Sequence, residues 1–311
     1  MDPAIVLFGL GIGLLVGMTG MGGGSLMTPL LILIFGTNPS TAIGTDIFYS
    51  AITKMFGSWR HLKLGTVNLE LVKWLSFGSV PAAVAGVGLI SVIEQHVSED
   101  RLNELLYAVL GGTLLMVGII TLTRALILRS LIDERERFEV ERRHKIAAVL
   151  IGATTGFVIG ITSAGSGTVI AILLIAVYRL SPKKVVGTDI VHAAVLLSAA
   201  AIAHWVGGNI DFGLAGNILV GSIPGVIIGA SLSGKAPQGL IRVALGLVLI
   251  GSGVVTILKG DPNVWPIAAG IAAIGLGSVL YAPHYMNKRR LQQLEQEGGQ
   301  TPAVAQSLPV D

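Results

Sequence analysis

The sequence predicts an all-α integral membrane protein made of two inverted repeats. Each repeat is a re-entrant helical hairpin followed by three transmembrane helices, and one extra helix lies at the C-terminal end. Three observations predict this. The 311 residues are 52% hydrophobic with 42 Gly and only 13% charged residues, more apolar mass than a soluble domain buries. Charge is concentrated between Arg129 and Lys145 and from Lys288 onward, which leaves the rest sparse in charge. The chain also repeats itself: from residue 8 to 89 it matches 151 to 232 at a constant offset of 143.

The repeat is marked by landmarks that shared composition does not explain. Gly17 matches Gly160, Thr19 matches Thr162, Pro39 matches Pro182, and Gly44, Thr45 and Asp46 match Gly187, Thr188 and Asp189. His61 and Pro81 match His204 and Pro224. After a shorter loop, Gly111, Gly118 and Thr121 match Gly246, Gly253 and Thr256. Residues 1–128 and 146–259 are therefore the two repeats, with a charged linker over 129–145, an unpaired helix over 260–284 and a polar tail over 285–311. No cationic region precedes the first apolar run, which opens at Met1, Asp2 and Pro3, so that run is expected to stay in the membrane and not to be cleaved as a signal peptide.

Each repeat opens on an apolar stretch split by small residues. Residues 4–18 and 25–36 flank Thr19 to Gly24, and 146–161 and 168–179 flank Thr162 to Gly167. Glycine runs break helices. At about 1.5 Å per residue each half falls short of the ~30 Å hydrocarbon core, and a continuous helix overshoots it, so hairpins over 4–36 and 146–179 fit better. The segments 39–60, 69–92, 103–128, 182–204, 212–233 and 239–258 then cross fully, and with the unpaired helix make seven crossings.

Positive charge sets the orientation. Three crossings per repeat plus the unpaired helix place the linker and the tail on one side, and both are rich in Lys and Arg. With that side cytoplasmic, Arg60, Lys63, Arg179, Lys183, Lys184 and Lys235 also lie inside, Arg101 and Lys259 lie outside, and the N-terminus is outside. Trp59, Trp74, Trp205 and Trp265 fall at predicted helix ends, as an interfacial belt requires, and His61 and His204 are placed at the same interfaces.

Several chemistries are excluded. Without Cys there is no disulfide, thiol nucleophile or thiolate metal site. Residues 229–236 resemble a phosphate loop, but Ala236 stands where Ser or Thr holds magnesium and no strand precedes it. The Gly run at 20–24 lacks the strand, spacing and downstream acid of a dinucleotide site. No cofactor, metal or nucleic-acid partner is expected; the expected partners are the lipid bilayer and a small anion.

The breaks suit an anion. A half-helix starting at midplane depth points free amides at a cavity. Ser25 and Thr168 stand where N-caps belong, and the amides of Gly22, Gly23, Gly24 and Ser25, and of Gly165, Ser166, Gly167 and Thr168, suit a small oxyanion. Thr19, Gly20, Thr162 and Ser163 complete the two candidate tips, the hydroxyls adding donors. The competing reading is that these glycines only permit close helix packing.

Asp46 and Asp189 sit inside equivalent apolar helices, where an ionisable group is costly. Asp46, Ser50 and Lys54 share a face, and His192 follows Asp189 by one turn. Asp46, Lys54, Asp189 and His192 are the candidates for coupling or proton transfer. Against that stand two plain roles: the acids capping hairpin backbone, and Lys54 snorkelling to the surface.

These residues also carry a resemblance. The run from Gly17 to Gly24 with Pro29, then Gly44, Thr45 and Asp46 through Lys54 to Arg60, His61, Gly65, Thr66 and Val67, resembles the TauE/SafE sulfite exporter family, as does the second copy around Gly187, Thr188, Asp189 and His192. The similarity covers about residues 4–283. It implies a multipass inner-membrane carrier for sulfite or related sulfur-containing anions, driven by an ion or proton gradient. Ala164 and Ser166 depart from a fuller Gly run. A passive anion channel and a membrane enzyme or sulfur-relay component are the alternatives to a carrier.

Overall fold

The computed structural model describes residues 2–19, 24–126, 141–165, 167–232 and 238–260, with single positions at 263, 266, 270 and 273. Gly20, Gly22, Gly23, Ser166, most of the linker, the expected unpaired helix apart from those positions, the tail and Trp265 lie outside the described residues.

Every regular element among the described residues is a helix: α1 Pro3–Thr19, α2 Gly24–Ile34, α3 Pro39–Lys63, α4 Leu69–His96, α5 Glu99–Leu126, α6 Arg142–Thr162, α7 Thr168–Tyr178, α8 Pro182–Val206, α9 Phe212–Leu232 and α10 Gln238–Lys259. Turn chemistry sets their starts. Asn38 accepts the amide of Ser40 ahead of Pro39, and Asn68 accepts that of Leu71.

Six of the helices are long and apolar enough to cross a membrane: those of α4, α5, α6, α8, α9 and α10. Two helices differ in length and composition from their expected counterparts. α3, expected as an ordinary crossing, has 25 residues but falls outside this set, because Asp46, Ser50, Lys54 and Ser58 give it a polar face that is buried. α6, expected as a half-hairpin, has 21 residues and lies in the set; its first turn is Arg142, Arg143, His144 and Lys145, and apolar residues begin at Ile146. The outer surface fits lipid, with Phe56, Phe77, Ile227 and Leu258 each at least 60% exposed.

Helix partners are exchanged between the repeats. α1 lies along α9, and its counterpart α6 lies along α4; α3 meets α8, and α5 meets α10. Glycines make these approaches possible. A Cβ on Gly9 would meet the Ile218 carbonyl at 2.6 Å, Gly13 faces Ser222 and Gly17 faces Val226, so α1 and α9 run in the same direction. Gly152, Gly156 and Gly160 of α6 face Leu75, Ser79 and Ala83 in the same way. In α3 and α8 the order reverses, with Gly57 facing Ile190 and Gly187 facing Thr66; α5 and α10 are likewise opposed, Gly111 facing Gly253 and Gly118 facing Gly246.

The Gly-Thr pairs of the repeated triplet have a clear task. Gly44 lets the Asn209 carbonyl pack onto α3, and Thr45 Oγ1 accepts the Asp211 N–H at 3.0 Å. Gly187 does the same for Thr66, and Thr188 Oγ1 accepts the Asn68 N–H at 3.0 Å. Each repeat therefore holds the loop before the fourth helix of the other. His204 is a further correction: expected at the interface, it is fully buried and donates Nε2–H to the Gly160 carbonyl at 3.0 Å, whereas His61 is half-buried beside Thr66 at 2.9 Å. Trp59 and Trp205 are both 63% exposed, at the ends of α3 and α8.

Candidate functional site

The break between α6 and α7 consists of unusual backbone. Ser163, Gly165 and Gly167 all have positive φ, 58°, 99° and 105°; the glycines adopt it freely and Ser163 is a rare non-Gly case held by burial. Ser163 ends α6 and Gly167 is the N-cap of α7. In the first repeat Gly24 opens α2. Ser25 is thus the second residue of α2 and Thr168 the first of α7, and neither is the cap expected of it.

The two breaks meet. Gly165 donates its backbone N–H to Ser25 Oγ at 3.1 Å across 140 residues of sequence, and a Cβ on Gly24 would meet the Ser163 carbonyl at 2.6 Å. Asp46 of α3 joins them. Its Oδ2 accepts from Thr28 Oγ1 at 2.6 Å and from Ser163 Oγ at 3.0 Å, and its Oδ1 accepts from Ser50 Oγ at 3.1 Å. All four side chains are buried. A carboxylate taken out of water is tolerated only where donors replace its hydration, and three hydroxyls do so here. Asp46 therefore ties α2, α3 and the end of α6 together through hydroxyls, and a further bond from the Thr28 backbone N–H lets it cap hairpin backbone as well.

The remaining tip residues are less engaged with each other. Thr162 Oγ1 donates to Val158 O at 2.7 Å in its own helix and accepts the Ala164 N–H at 3.3 Å. Thr168 is buried, and the Thr19 backbone ends α1 while its side chain is outside the described set.

A second polar centre lies between α3, α8 and α4. Lys54 Nζ is 4.0 Å from Asp189 Oδ2, with the side chains 7% and 6% exposed. Lys54 does not snorkel to the surface. His192 is fully buried and its Nε2 is 2.8 Å from Ser79 Oγ. The four expected coupling residues thus divide into two settings, Asp46 among hydroxyls and the other three around a charge pair.

Thr28 and Ser79 were not anticipated. Thr28 lies one turn beyond Gly24, and its signal was only its position in the half-helix; Ser79 matches Ser222 at the repeat offset, one of the identities the duplication preserves. No group of three or more His, Asp or Glu with metal-binding geometry occurs among the described residues.

This is a multipass helical membrane protein with a duplicated core and polar centres buried among its helices. Residues 5–256 match the sulfite exporter TauE/SafE family, and the chain belongs to that family of membrane transporters. It is 39% identical over 251 residues to the probable membrane transporter protein YjnA of Bacillus subtilis (strain 168), covering 80% of this chain and 98% of that one. A second protein of that organism with the same description, YdhB, is 27% identical over 78% of this chain and 94% of its own. A probable membrane transporter protein of Xylella fastidiosa (strain 9a5c) is 27% identical over 82% and 95%. No solved structure matches.

Proposed function

We propose that the protein is a secondary-active carrier that exports sulfite or a related small sulfur-containing anion across the cell membrane. Substrate access alternates around the meeting point of two re-entrant hairpins, α1–α2 and α6–α7, and an ion or proton gradient drives it. The hairpin tips and the buried polar residues beside them form the central site.

Helix directions support the inverted repeat. α9 runs with α1, and it also runs with α3, since Gly44 and Thr45 face Asn209 and Asp211 while Tyr49 faces Ser222. α1 and α3 therefore run the same way, and α2 between them returns. α8 opposes α3 and runs with α4, through Thr188 with Asn68 and His192 with Ser79. α6 runs with α4, so α7 also returns, and each element of the second repeat opposes its counterpart. The basic linker and tail are assigned to the cytoplasm and the N-terminus to the outside.

The observation that carries the reading is the bond from Gly165 N–H to Ser25 Oγ. One helix break from each repeat reaches the same point, the arrangement in which inverted-repeat carriers place a substrate. Proteoliposome flux of sulfite, sulfate, thiosulfate and an alkylsulfonate, with and without a pH gradient, tests it. Saturable uptake of one of these anions against its gradient is expected. No flux of any, or a non-saturating current driven by voltage at fixed pH, overturns it.

A further inference from the structure

Duplication gave Asp46 and Asp189 the same starting place, and the structure gives them different company. The three hydroxyl donors of Asp46 are Thr28, Ser50 and Ser163. At the repeat offset of 143, the corresponding residues around Asp189 are Ala171, Ala193 and Gly20, none with a hydroxyl. A cation stands beside Asp189. Lys54 of α3, whose own counterpart is Leu197, sets its ammonium 4.0 Å from Asp189 Oδ2, the outer limit of an ion pair and too long for a close hydrogen bond.

His192, where the first repeat has Tyr49, completes this centre. Ser79 Oγ fixes its Nε2 at 2.8 Å, its Nδ1 is buried with no hydrogen-bond partner among the described residues, and Lys54 is close enough to act on it through its charge. If Ser79 donates to Nε2, Nδ1 carries the proton and is a buried donor. Among the described residues, the other charged residues and histidines of the two helices themselves lie toward their ends: Arg60, His61 and Lys63 in the last turn of α3, Lys183 and Lys184 in the first turn of α8 and His204 in its last. α2, α7 and α9 carry none. α4 carries Glu70, Lys73 and Glu94 near its ends, α5 carries Glu99, Asp100, Arg101, Glu104 and Arg124 in its terminal turns, and α6 carries Arg142, Arg143, His144 and Lys145 in its first turn. Asp46, two turns before Lys54, is held by its hydroxyls.

We propose that Lys54 is the cation that binds the transported anion, and that Asp189 is its resident counter-ion when the site is empty. This rests on the carrier reading above. An entering oxyanion presents the same charge and the same acceptor oxygens as the carboxylate it replaces on Lys54 Nζ. Asp189, deprived of its cation, takes a proton from hydronium on the same side of the membrane. His192 Nδ1–H donates to a second oxygen of the anion. On the other side the steps reverse: the proton leaves Asp189, the anion leaves Lys54, and the pair re-forms.

The charge balance decides the substrate class. Empty, the centre holds one ammonium and one carboxylate; loaded with a singly charged anion, it holds one ammonium, one anion and a neutral acid. Both states sum to zero, so neither buries a net charge at a depth where that is costly. A doubly charged anion leaves one negative charge uncompensated. The site therefore selects monovalent oxyanions, hydrogensulfite or an alkylsulfonate over sulfate, and carries one proton with each.

The test uses the reconstituted full chain with sulfite and with methanesulfonate, whose charge is constant over the working pH range, and sulfate as the divalent comparison. Wild type should move about one proton per methanesulfonate, unaffected by clamping the membrane potential. Asp189→Asn should keep anion exchange but lose proton movement and become electrogenic. Lys54→Leu should raise KM for the carried anion by about tenfold or more, the loss of one charge-assisted hydrogen bond. The double variant Lys54→Leu/Asp189→Asn, which leaves no unpaired charge, guards against misfolding and should be as defective in exchange as Lys54→Leu. An unchanged KM in Lys54→Leu, persistent proton coupling in Asp189→Asn, or preference for sulfate overturns the proposal while wild-type flux leaves the carrier reading standing; absence of any wild-type flux removes both.

Discussion

Ser163 Oγ donates to Asp46 Oδ2 at 3.0 Å, a hydrogen bond that runs from the break of the second repeat to the third helix of the first. Ser163 is also the residue in the left-handed region that ends α6, so one side chain both terminates a helix and locks it to another repeat. Asp46 is thereby a structural junction whose oxygens collect three buried hydroxyls.

Removing that junction has a graded cost. Asp46→Ala leaves three buried hydroxyls to find other acceptors, at about 1–3 kcal/mol for each that fails, whereas Ser163→Ala removes only one of three donors. Thermal unfolding in lipid nanodiscs should therefore rank wild type above Ser163→Ala and Ser163→Ala well above Asp46→Ala. Asp46→Asn keeps an acceptor oxygen and should stay folded with its pH-gradient drive intact. Loss of that drive in a folded Asn variant would return Asp46 to the coupling machinery.

Thr45 and Thr188 offer a matched pair. Each is fully buried, and each accepts one backbone N–H from the other repeat at 3.0 Å. Thr45→Val and Thr188→Val keep the shape and remove the acceptor, so each should destabilise by about 1 kcal/mol or somewhat more, and by similar amounts. Because the two bonds share no residue, the double variant should lose close to the sum. A markedly unequal pair would show that the two clasps are not equivalent in energy.

The sequence disclosed this duplication because identity at a fixed offset survives without knowledge of contacts. It disclosed that Gly44, Thr45 and Asp46 mattered, but not that Gly and Thr serve a loop of the other repeat, since that partner lies more than 160 residues away. Ser163 and Ser79 are 117 and 113 residues from Asp46 and His192, and Thr28, only 18 from Asp46, lies on a different helix, so no spacing along one element joins these pairs. The polar face of α3 is legible in the spacing of Asp46, Ser50 and Lys54, but not its two destinations, the hydroxyls of α2 and α6 for Asp46 and the carboxylate of α8 for Lys54. His204 looked interfacial because Trp205 follows it, yet the two point opposite ways, one buried and one 63% exposed.

Glycine substitutions separate close packing from mere flexibility on a single helix. In α4, Gly78 lies against the backbone of Val149 and Ala153 in α6, while Gly88 has open space around it. Gly78→Ala forces those backbones apart and should cost about 1–3 kcal/mol, visible as a lowered unfolding temperature. Gly88→Ala meets nothing and improves helix propensity, so it should be neutral or stabilising by up to about 1 kcal/mol. Equal effects at the two positions would remove close backbone approach as the reason for the glycines of α4.

Lys63 and Val206 occupy equivalent places, the last residues of α3 and α8, and both are exposed. In a parallel duplication they face the same side of the membrane; in an inverted one they face opposite sides. The native chain has no Cys, so single Lys63→Cys and Val206→Cys variants give clean labelling sites. A membrane-impermeant maleimide added to intact cells should label position 206 and spare 63, and inside-out vesicles should show the reverse. His96→Cys should follow 206, because α4 runs with α8 and ends on the same side. Labelling of 63 and 206 from one side would overturn the inverted repeat, and with it the shared meeting point of the two breaks as a site reached alternately from each face.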